Sequence, residues 1–472
     1  MLSRAQMLGK GTKRPLDLFV QTSSVLRRSS NLQQQIHHLH RQPEPTDGFP
    51  QKQYPLSNSI SGAPPTFIFE SNWTMPIFES NWTMRRCFST ADNSDDTPLD
   101  SKSGAVGRSL VQRLAILKSI GDCVNEYELM LVLKKKAAPV CYVWCDPSPW
   151  MHITQGIAMA INVNKMIKAG CKVKILMTDW FARMDYRIGG RVGGDLSKMQ
   201  TIGLYNVEMW KATGMDLGGV EFVRLSDSIS CNADEYWPLA MDIARKSNRS
   251  TIKSWHRVRA SIDTSRGYGR RGPYIQRDFT GAEIFHPCLQ SASILFQKAD
   301  LWLLGLDQRG PHMIARQYCN LMEMENKPIA LFHNMPPNLL EYPERAGLDD
   351  PRWAIFMEDD EEDIMRKIKS AFCPPESAED NPCLEYIKHI ILPWFGKFEV
   401  VQKEENGGSK TFTSMEDLTG DYESGALHPS DVKQALVKAI NMMLQPVRDH
   451  FRSSAEAKKL VEEKEKLFPM HW

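Results

Sequence analysis

The residue best placed for chemistry is His152, within CYVWCDPSPWMHITQGIAMAINVNKMIKAGCKVKILMTD at 141–179. It follows Asp146-Pro147-Ser148-Pro149, which can continue neither strand nor helix, and it precedes a helical run. That puts an imidazole at a helix N-terminus, where free N–H groups and the dipole favour an anion such as phosphate. A second candidate is Gly305-Leu306-Asp307-Gln308-Arg309-Gly310, which follows an apolar run and so lies where a strand would end. The acidic run Glu358 to Asp363 precedes Ile364, Ile368 and Phe372. Carboxylates in a first helical turn are what the dipole favours, so this run reads as stabilising a helix rather than holding a cation. Residues 247–279 carry eight Lys/Arg against Asp263 and Asp278, a basic loop that could lie on RNA phosphates or be a solvated insertion. The ten cysteines form no CxxC pair and no Cys/His cluster at zinc spacing. The reading is reduced, mostly buried thiols and no metal site.

The elements that must position these residues follow from periodicity. Tyr142 to Cys145 is a short β-prone run. From His152 the apolar residues Ile153, Ile157, Ala160, Ile161 and Ile167 recur at helical spacing, and Ala169-Gly170 ends the helix. Val173, Ile175 and Met177 then alternate with Lys172 and Lys174, as in a strand. A strand–helix–strand crossover makes a parallel pair, and such sheets bind ligands beyond their strands' carboxyl ends. The expected fold class is therefore α/β with a parallel sheet. Residues 106–135 read as helical, with Leu110, Leu114, Leu117 and Ile120 on one face. Trp180 and Phe181 sit where the second strand gives way to a loop, and the pairs Gly189-Gly190 and Gly193-Gly194 suggest a flexible connection. Further helices are expected at 197–212, 233–246, 282–299 and 311–324, and strands at Val220–Leu225, Leu301–Leu304 and Ile329–Phe332. From about Ser370 the chain reads as a separate helical part. In it Val432, Leu436, Ala439, Ile440 and Met443 share a face, Ser430 serves as N-cap, Asn406 to Lys410 form a turn, and 451–467 make a solvated end.

A length of 472 residues suggests two or three domains, and 42% hydrophobic residues with a net charge of +1 describe an ordinary soluble protein. Global charge therefore says nothing about nucleic acid, and no run approaches the roughly 20 apolar residues of a membrane helix. Residues 1–105 differ in kind. Between Met1 and Pro43, Arg4, Lys10, Lys13, Arg14, Arg27, Arg28 and Arg41 face Asp17 alone, and serine and glutamine abound. Such a start resembles an organelle transit peptide, with Arg86-Cys87-Phe88-Ser89 like a processing site; a disordered extension or a faulty gene model explains it equally well. IFESNWTM occurs twice in tandem, at 68–75 and 77–84, too few copies for a solenoid. The sequons at Asn72 and Asn81 have no secretory signal ahead of them and read as accidental, and Ala91 to Ser103 reads as a polar linker.

Five stretches together resemble the eukaryotic and archaeal tyrosyl-tRNA synthetases, most closely the plant cytosolic form. They are MHITQG at 151–156, NADEYWPLAMDIARKSN at 232–248, GLDQR at 305–309, AIFMEDDEE at 354–362, and AFCPP…NPCLEYIKHIILPWF at 371–395. The resemblance spans roughly 109–452 and implies a Rossmann-like class I synthetase catalytic domain over 106–369, followed by a helical anticodon-binding domain over 370–472. It implies tyrosine, ATP with Mg2+ and tyrosine tRNA as partners, a homodimer, no bound organic cofactor, no metal residues and no membrane association. The compartment implied is the cytoplasm, or an organelle if 1–105 is a transit peptide. His152 would begin the HIGH-type motif that meets ATP phosphates, completed by Ile153, Thr154 and Gln155, with Gly305 and Asp307 also on the ATP side. Tyr142, Gln290 and Gln308 would line the amino-acid pocket.

The sequence departs from the family at several of these points. The KMSKS loop should precede AIFMED, but the matching positions read Arg345-Ala346-Gly347-Leu348-Asp349, with Leu348 for the second lysine and Arg345 standing in for the first. Ser293 replaces the aspartate that reads the tyrosine hydroxyl, His286 replaces a pocket tyrosine, and Trp144 and Pro149 replace glycines. The expectation is a tyrosine–tRNA ligase with a remodelled site. The alternative is a catalytically impaired paralogue that keeps the fold and binds tRNA or protein.

Overall fold

The computed structural model describes residues 108–184, 195–253, 255, 280–334, 336–340, 351–402 and 408–468. The extension 1–105, its repeat and sequons, the two glycine pairs, nearly all of 254–279 and Arg345 to Asp349 lie outside them.

Six strands form the central sheet: β1 (Gly121–Cys123), β2 (Val140–Cys145), β3 (Lys172–Met177), β4 (Val220–Arg224), β5 (Leu301–Gly305) and β6 (Ala330–His333). Their order is β1-β6-β5-β2-β3-β4. All neighbours are parallel except β1, which runs antiparallel to β6 with Gly121 opposite His333. The parallel strands fall where alternation and apolar runs placed them. β1 interrupts what reads as one helix over 106–135; the helices are Leu110–Lys118 and Glu126–Lys135. Three residues are too few to carry a period, so only pairing with β6 makes this a strand.

Alternation along β2 sends its side chains to two cores. Cys141, Val143 and Cys145 enter a cluster with Ile153, Ile157 and Val163 that continues through Ile387, Leu436 and Val447. Tyr142 and Trp144 enter a second cluster with Phe181, Tyr236, Leu289, Trp302 and Leu304. One contiguous core thus joins the crossover helix to the C-terminal helices.

Other elements differ from the sequence reading. Trp180 and Phe181 lie in a helix, Asp179–Met184, rather than a loop, because the Asp179 carboxylate takes Trp180 N–H at 2.9 Å and ties the turn to Ser226. A further helix, Leu225–Cys231, precedes Ala233–Lys246. The C-terminal part is not helical throughout, since β7 (Phe398–Val401) and β8 (Ser409–Phe412) form an antiparallel hairpin. Ser409 and Lys410 therefore belong to a strand and not to the expected turn, whose Asn406 and Gly407 lie outside the described residues. The long helix Pro429–Ser453 is capped by His428, whose ring accepts Ser430 N–H at 3.2 Å; Ser430 is already inside it. The last helix, Ala455–Leu467, is solvated over most of its surface, but one side is docked, with Ala457 buried. Its Lys464 is 2% exposed over the Tyr205 ring, and on the preceding helix His450 Nε2 lies 2.6 Å from Glu208.

Candidate functional site

The carboxyl ends of β2 and β5 open onto the turns at 146–153 and 305–308. The Asp-Pro-Ser-Pro turn is pinned from the Leu196–Ala212 helix: Asn206 accepts Ser148 N–H at 2.9 Å and returns an N–H to Ser148 O at 2.7 Å. Asp146 accepts Trp144 Nε1–H at 3.1 Å and the Thr178 hydroxyl. These bonds let a chain with two prolines enter the helix at a defined angle.

His152 does not stand open on that helix start, as the sequence suggested; it is 3% exposed. Its first turn, Thr154–Ala158, is wound as a π-helix, and the segment 355–357 is laid against it. Ile153 N–H donates to Ile355 O at 3.0 Å, Met357 N–H to Met151 O at 2.8 Å, and His152 bridges Phe356. The imidazole stacks on Trp353 at 5.7 Å and meets Phe356 edge-on at 6.1 Å. Close approach is possible because residue 156 is glycine; a Cβ there would fall 2.3 Å from Met357 Sδ. His152 Nδ1 accepts Thr154 N–H at 3.0 Å, which assigns the Nε2–H tautomer. Burial, aided by the Lys367 charge, lowers its pKa to about 3, so the ring is a neutral donor. Gln155 closes the turn by accepting His152 N–H at 3.2 Å, while its own carbonyl takes Trp210 Nε1–H at 2.8 Å.

The acidic run divides into two roles. Glu361, Glu362 and Asp363 do occupy the first turn of the Glu361–Ser370 helix, with Asp360 as its cap. Asp359, however, is buried against Lys367, with Nζ 2.7 Å from both carboxylate oxygens, and also accepts Phe356 N–H at 2.9 Å. Burial pushes this carboxyl up to about 6 against the pull of Lys367. Glu358 is likewise raised by burial, although Lys464 opposes this, and it takes the Tyr205 hydroxyl at 2.7 Å and Met151 N–H at 3.1 Å.

On the other face of β2, Tyr142 lies 5.3 Å from Trp302, and burial raises its phenol to about 12. Trp144 packs on Phe181 at 5.5 Å, and Phe181 meets His286 at 5.2 Å. Gln290 and Ser293, three apart on the Gly281–Phe296 helix, are 5% and 0% exposed. Ser293 donates to Leu289 O at 3.1 Å and shares a 3.3 Å hydrogen bond with the Tyr236 hydroxyl. Gln308 is turned into its own loop: its Oε1 accepts Gly305 N–H at 2.9 Å and its Nε2 donates to Asp307. Tyr142 and Trp144 thus share the Trp302 cluster, Phe181 carries it on to His286, and Ser293 joins it only through the Tyr236 hydroxyl, while His152 and Gln155 form a second group beyond the end of β2. Arg345 lies outside the described residues. Tyr236, Phe181, Trp353 and the Asp359–Lys367 pair were missed. DEYW at 234–237 and the acidic run were in view, but helical spacing cannot say which member turns inward.

These features match known proteins. Residues 134–445 match the family described as tRNA synthetases class I (W and Y), and the chain belongs to that family. Within it the likeness is to the tyrosyl branch of plant and eukaryotic type. The chain is 48% identical over 353 residues to the cytoplasmic tyrosine–tRNA ligase 1 of Arabidopsis thaliana, covering 75% of this chain and 88% of that protein. Among solved structures, Leishmania major tyrosyl-tRNA synthetase in complex with tyrosinol matches with a TM-score of 0.64 and 34% identity, over 77% of this chain and 53% of that one. The chain therefore spans about half of the Leishmania protein. The tryptophanyl-tRNA synthetase of Aeropyrum pernix, at 15% identity and a TM-score of 0.50 over 77% of this chain and 92% of that one, shares the fold alone. No helix among the described residues is long and apolar enough to cross a membrane.

Proposed function

We propose that this chain is a tyrosine–tRNA ligase, which joins tyrosine to ATP, releases pyrophosphate and passes the tyrosyl group to tyrosine tRNA. The observation that carries the reading is the pairing of two site halves at the carboxyl end of β2. One is the Tyr142–Trp144–His286–Ser293 cluster, the other the buried, neutral His152, in a chain close to a plant cytoplasmic ligase. Such chemistry needs no nucleophile from the protein; it needs reactants held in place and donors aimed at developing charge. His152 suits this because Thr154 N–H, donating to Nδ1 at 3.0 Å, fixes its tautomer and holds the neutral ring in one orientation. ATP would bring Mg2+ with it. Gly305 and Asp307 are assigned to the nucleotide, and Tyr142, His286, Gln290, Ser293 and Gln308 to the amino acid. The cytoplasm and a homodimer are the compartment and assembly proposed.

Two departures set the expected performance. By the family resemblance Leu348 stands where the second lysine would face pyrophosphate and Arg345 stands in for the first, and losing one preorganised donor costs about 2.7–4 kcal/mol, roughly 10²–10³ in rate. Slow turnover is therefore expected. The test is tyrosine-dependent ATP–pyrophosphate exchange with the full chain and with His152→Ala. Exchange that falls in the variant supports the ligase. Exchange no greater than that of His152→Ala would overturn it in favour of a paralogue that binds without catalysis.

A further inference from the structure

The helix Ala455–Leu467 runs out at Lys464-Glu465-Lys466-Leu467, and in sequence Pro469 follows Phe468. A residue before a proline is disfavoured in helical geometry, so Phe468 leaves the helix at φ −136 while its N–H still donates to Lys464 O at 2.8 Å. Lys464 and Phe468, four apart, are both buried. What they touch surrounds the turn that carries His152.

Phe468 belongs to neither main core. It forms a small cluster of its own with Ala182 and with Met199 and Ile202 of the Leu196–Ala212 helix, and Trp150 packs against it edge-on at 5.8 Å. Trp150 O accepts the Ser148 hydroxyl at 2.7 Å, so the indole is carried by the same Asp-Pro-Ser-Pro turn that delivers His152. Lys464 reaches that turn from a second direction. Its Nζ lies 5.2 Å over the Tyr205 ring, and the Tyr205 hydroxyl donates to Glu358 at 2.7 Å. Glu358 in turn accepts Met151 N–H on both oxygens, at 3.1 and 3.2 Å. The Lys464 charge favours the Glu358 carboxylate, opposing the rise that burial causes. Trp150 and Met151, the two residues before His152, are thus each held by contacts that begin in 464–468. Filling the core accounts for the buried Ala457 but calls for neither a cation over Tyr205 nor an aromatic on Trp150.

We propose that Phe468 and Lys464 are positioning residues for the ligase reaction, holding the backbone of Trp150 and Met151 so that the His152 ring keeps its place at the reactants. The effect on rate rests on the ligase reading; the docking does not. A turn with two prolines lacks two backbone donors with which to hold itself, and a displacement of about 1 Å at a reacting centre can cost on the order of 10² in rate. Tyr142 packs in a different core, so tyrosine binding is spared.

The experiment compares the full chain with Phe468→Ala, Phe468→Leu and Lys464→Met, by deuterium uptake of peptides and by tyrosine-dependent pyrophosphate exchange. In Phe468→Ala, uptake over 150–158 should quicken while that of β3 stays as in wild type. Its kcat should fall by about 10–100-fold with the KM for tyrosine unchanged. Phe468→Leu restores an apolar contact for Trp150 and should return both readouts toward wild type. Lys464→Met keeps the bulk, loses the charge, and should show the same loosening to a smaller degree. Unchanged uptake over 150–158 in a folded Phe468→Ala chain would overturn the proposal, and so would quickened uptake with unchanged kcat. If Phe468→Ala does not fold, Lys464→Met decides by the same two readouts. A wild-type chain without pyrophosphate exchange sinks the ligase reading instead, and uptake alone then decides whether 464–468 hold the turn.

Discussion

Acid should destabilise this chain through two buried imidazoles. His152 and His312 are 3% and 0% exposed. Burial, with the Lys367 charge, lowers His152 to about 3. His312 falls to about 4 through burial, although the Pro328 carbonyl, which accepts Nε2–H at 3.0 Å, pulls the other way. In the unfolded chain both return to about 6.5. A base whose folded pKa is depressed contributes stability that is full above the unfolded value and is lost as pH falls toward the folded one. Between pH 7 and 5 the unfolded imidazole protonates while the folded one stays neutral, so each histidine costs about 2 kcal/mol and the pair about 4. That is a large share of the roughly 5–15 kcal/mol that holds a protein folded. The perturbation is His312→Gln, whose amide can still donate to Pro328 O but cannot titrate. The assay is equilibrium urea unfolding at both pH values. The variant should lose about 2 kcal/mol less than wild type over that interval. Equal losses in the two proteins would refute the argument, whatever the variant's stability at pH 7.

Lys367→Met should cost about 3–5 kcal/mol in urea unfolding, because it leaves the Asp359 carboxylate buried without its cation. Ser293→Asp should raise discrimination for tyrosine over phenylalanine in pyrophosphate exchange by about 10–100-fold, the worth of one charged hydrogen bond to the phenol. No change in that ratio would remove Ser293 from the phenol contact.

The strands and helices of the sheet were legible where a residue's surroundings are set by its own repeat. Val173, Ile175 and Met177 alternate with lysines and are buried, and Ala169-Gly170 ends the helix before them. The site was legible by position only. His152 could be placed at a strand's carboxyl end, but nothing nearby in sequence foretells that residues 353–357, two hundred positions on, cover its ring. The same holds for Tyr236 and Ser293, 57 residues apart, whose hydrogen bond joins two helices. The split of the acidic run was hidden for a different reason. Asp359 and Asp360 have the same chemistry, and only Lys367, two turns along, selects which of them is buried.

That buried pair also decides how firmly the His152 turn is held. From one side, Arg448 of the Pro429–Ser453 helix donates through Nε and Nη2 to Asp359 O at 3.2 and 3.1 Å. From the other, the Asp359 carboxylate grips Phe356 N–H at 2.9 Å, and Phe356 is the bridge partner of His152. The Pro429–Ser453 helix therefore reaches the proposed phosphate contact through one aspartate. Stability and positioning can be separated here, because an apolar pair can replace a buried ion pair without loss but cannot accept a backbone hydrogen bond. Asp359→Leu combined with Lys367→Met should recover most of the stability lost in Lys367→Met, while Phe356 N–H loses its acceptor. Unfolding in urea should then approach wild type, and tyrosine-dependent exchange should stay depressed by about tenfold, the equivalent of one hydrogen bond's roughly 0.5–1.5 kcal/mol at its upper end. If exchange recovers together with stability, the carboxylate only fills and neutralises the core, and the His152 turn is held by Ile153 and Met357 alone.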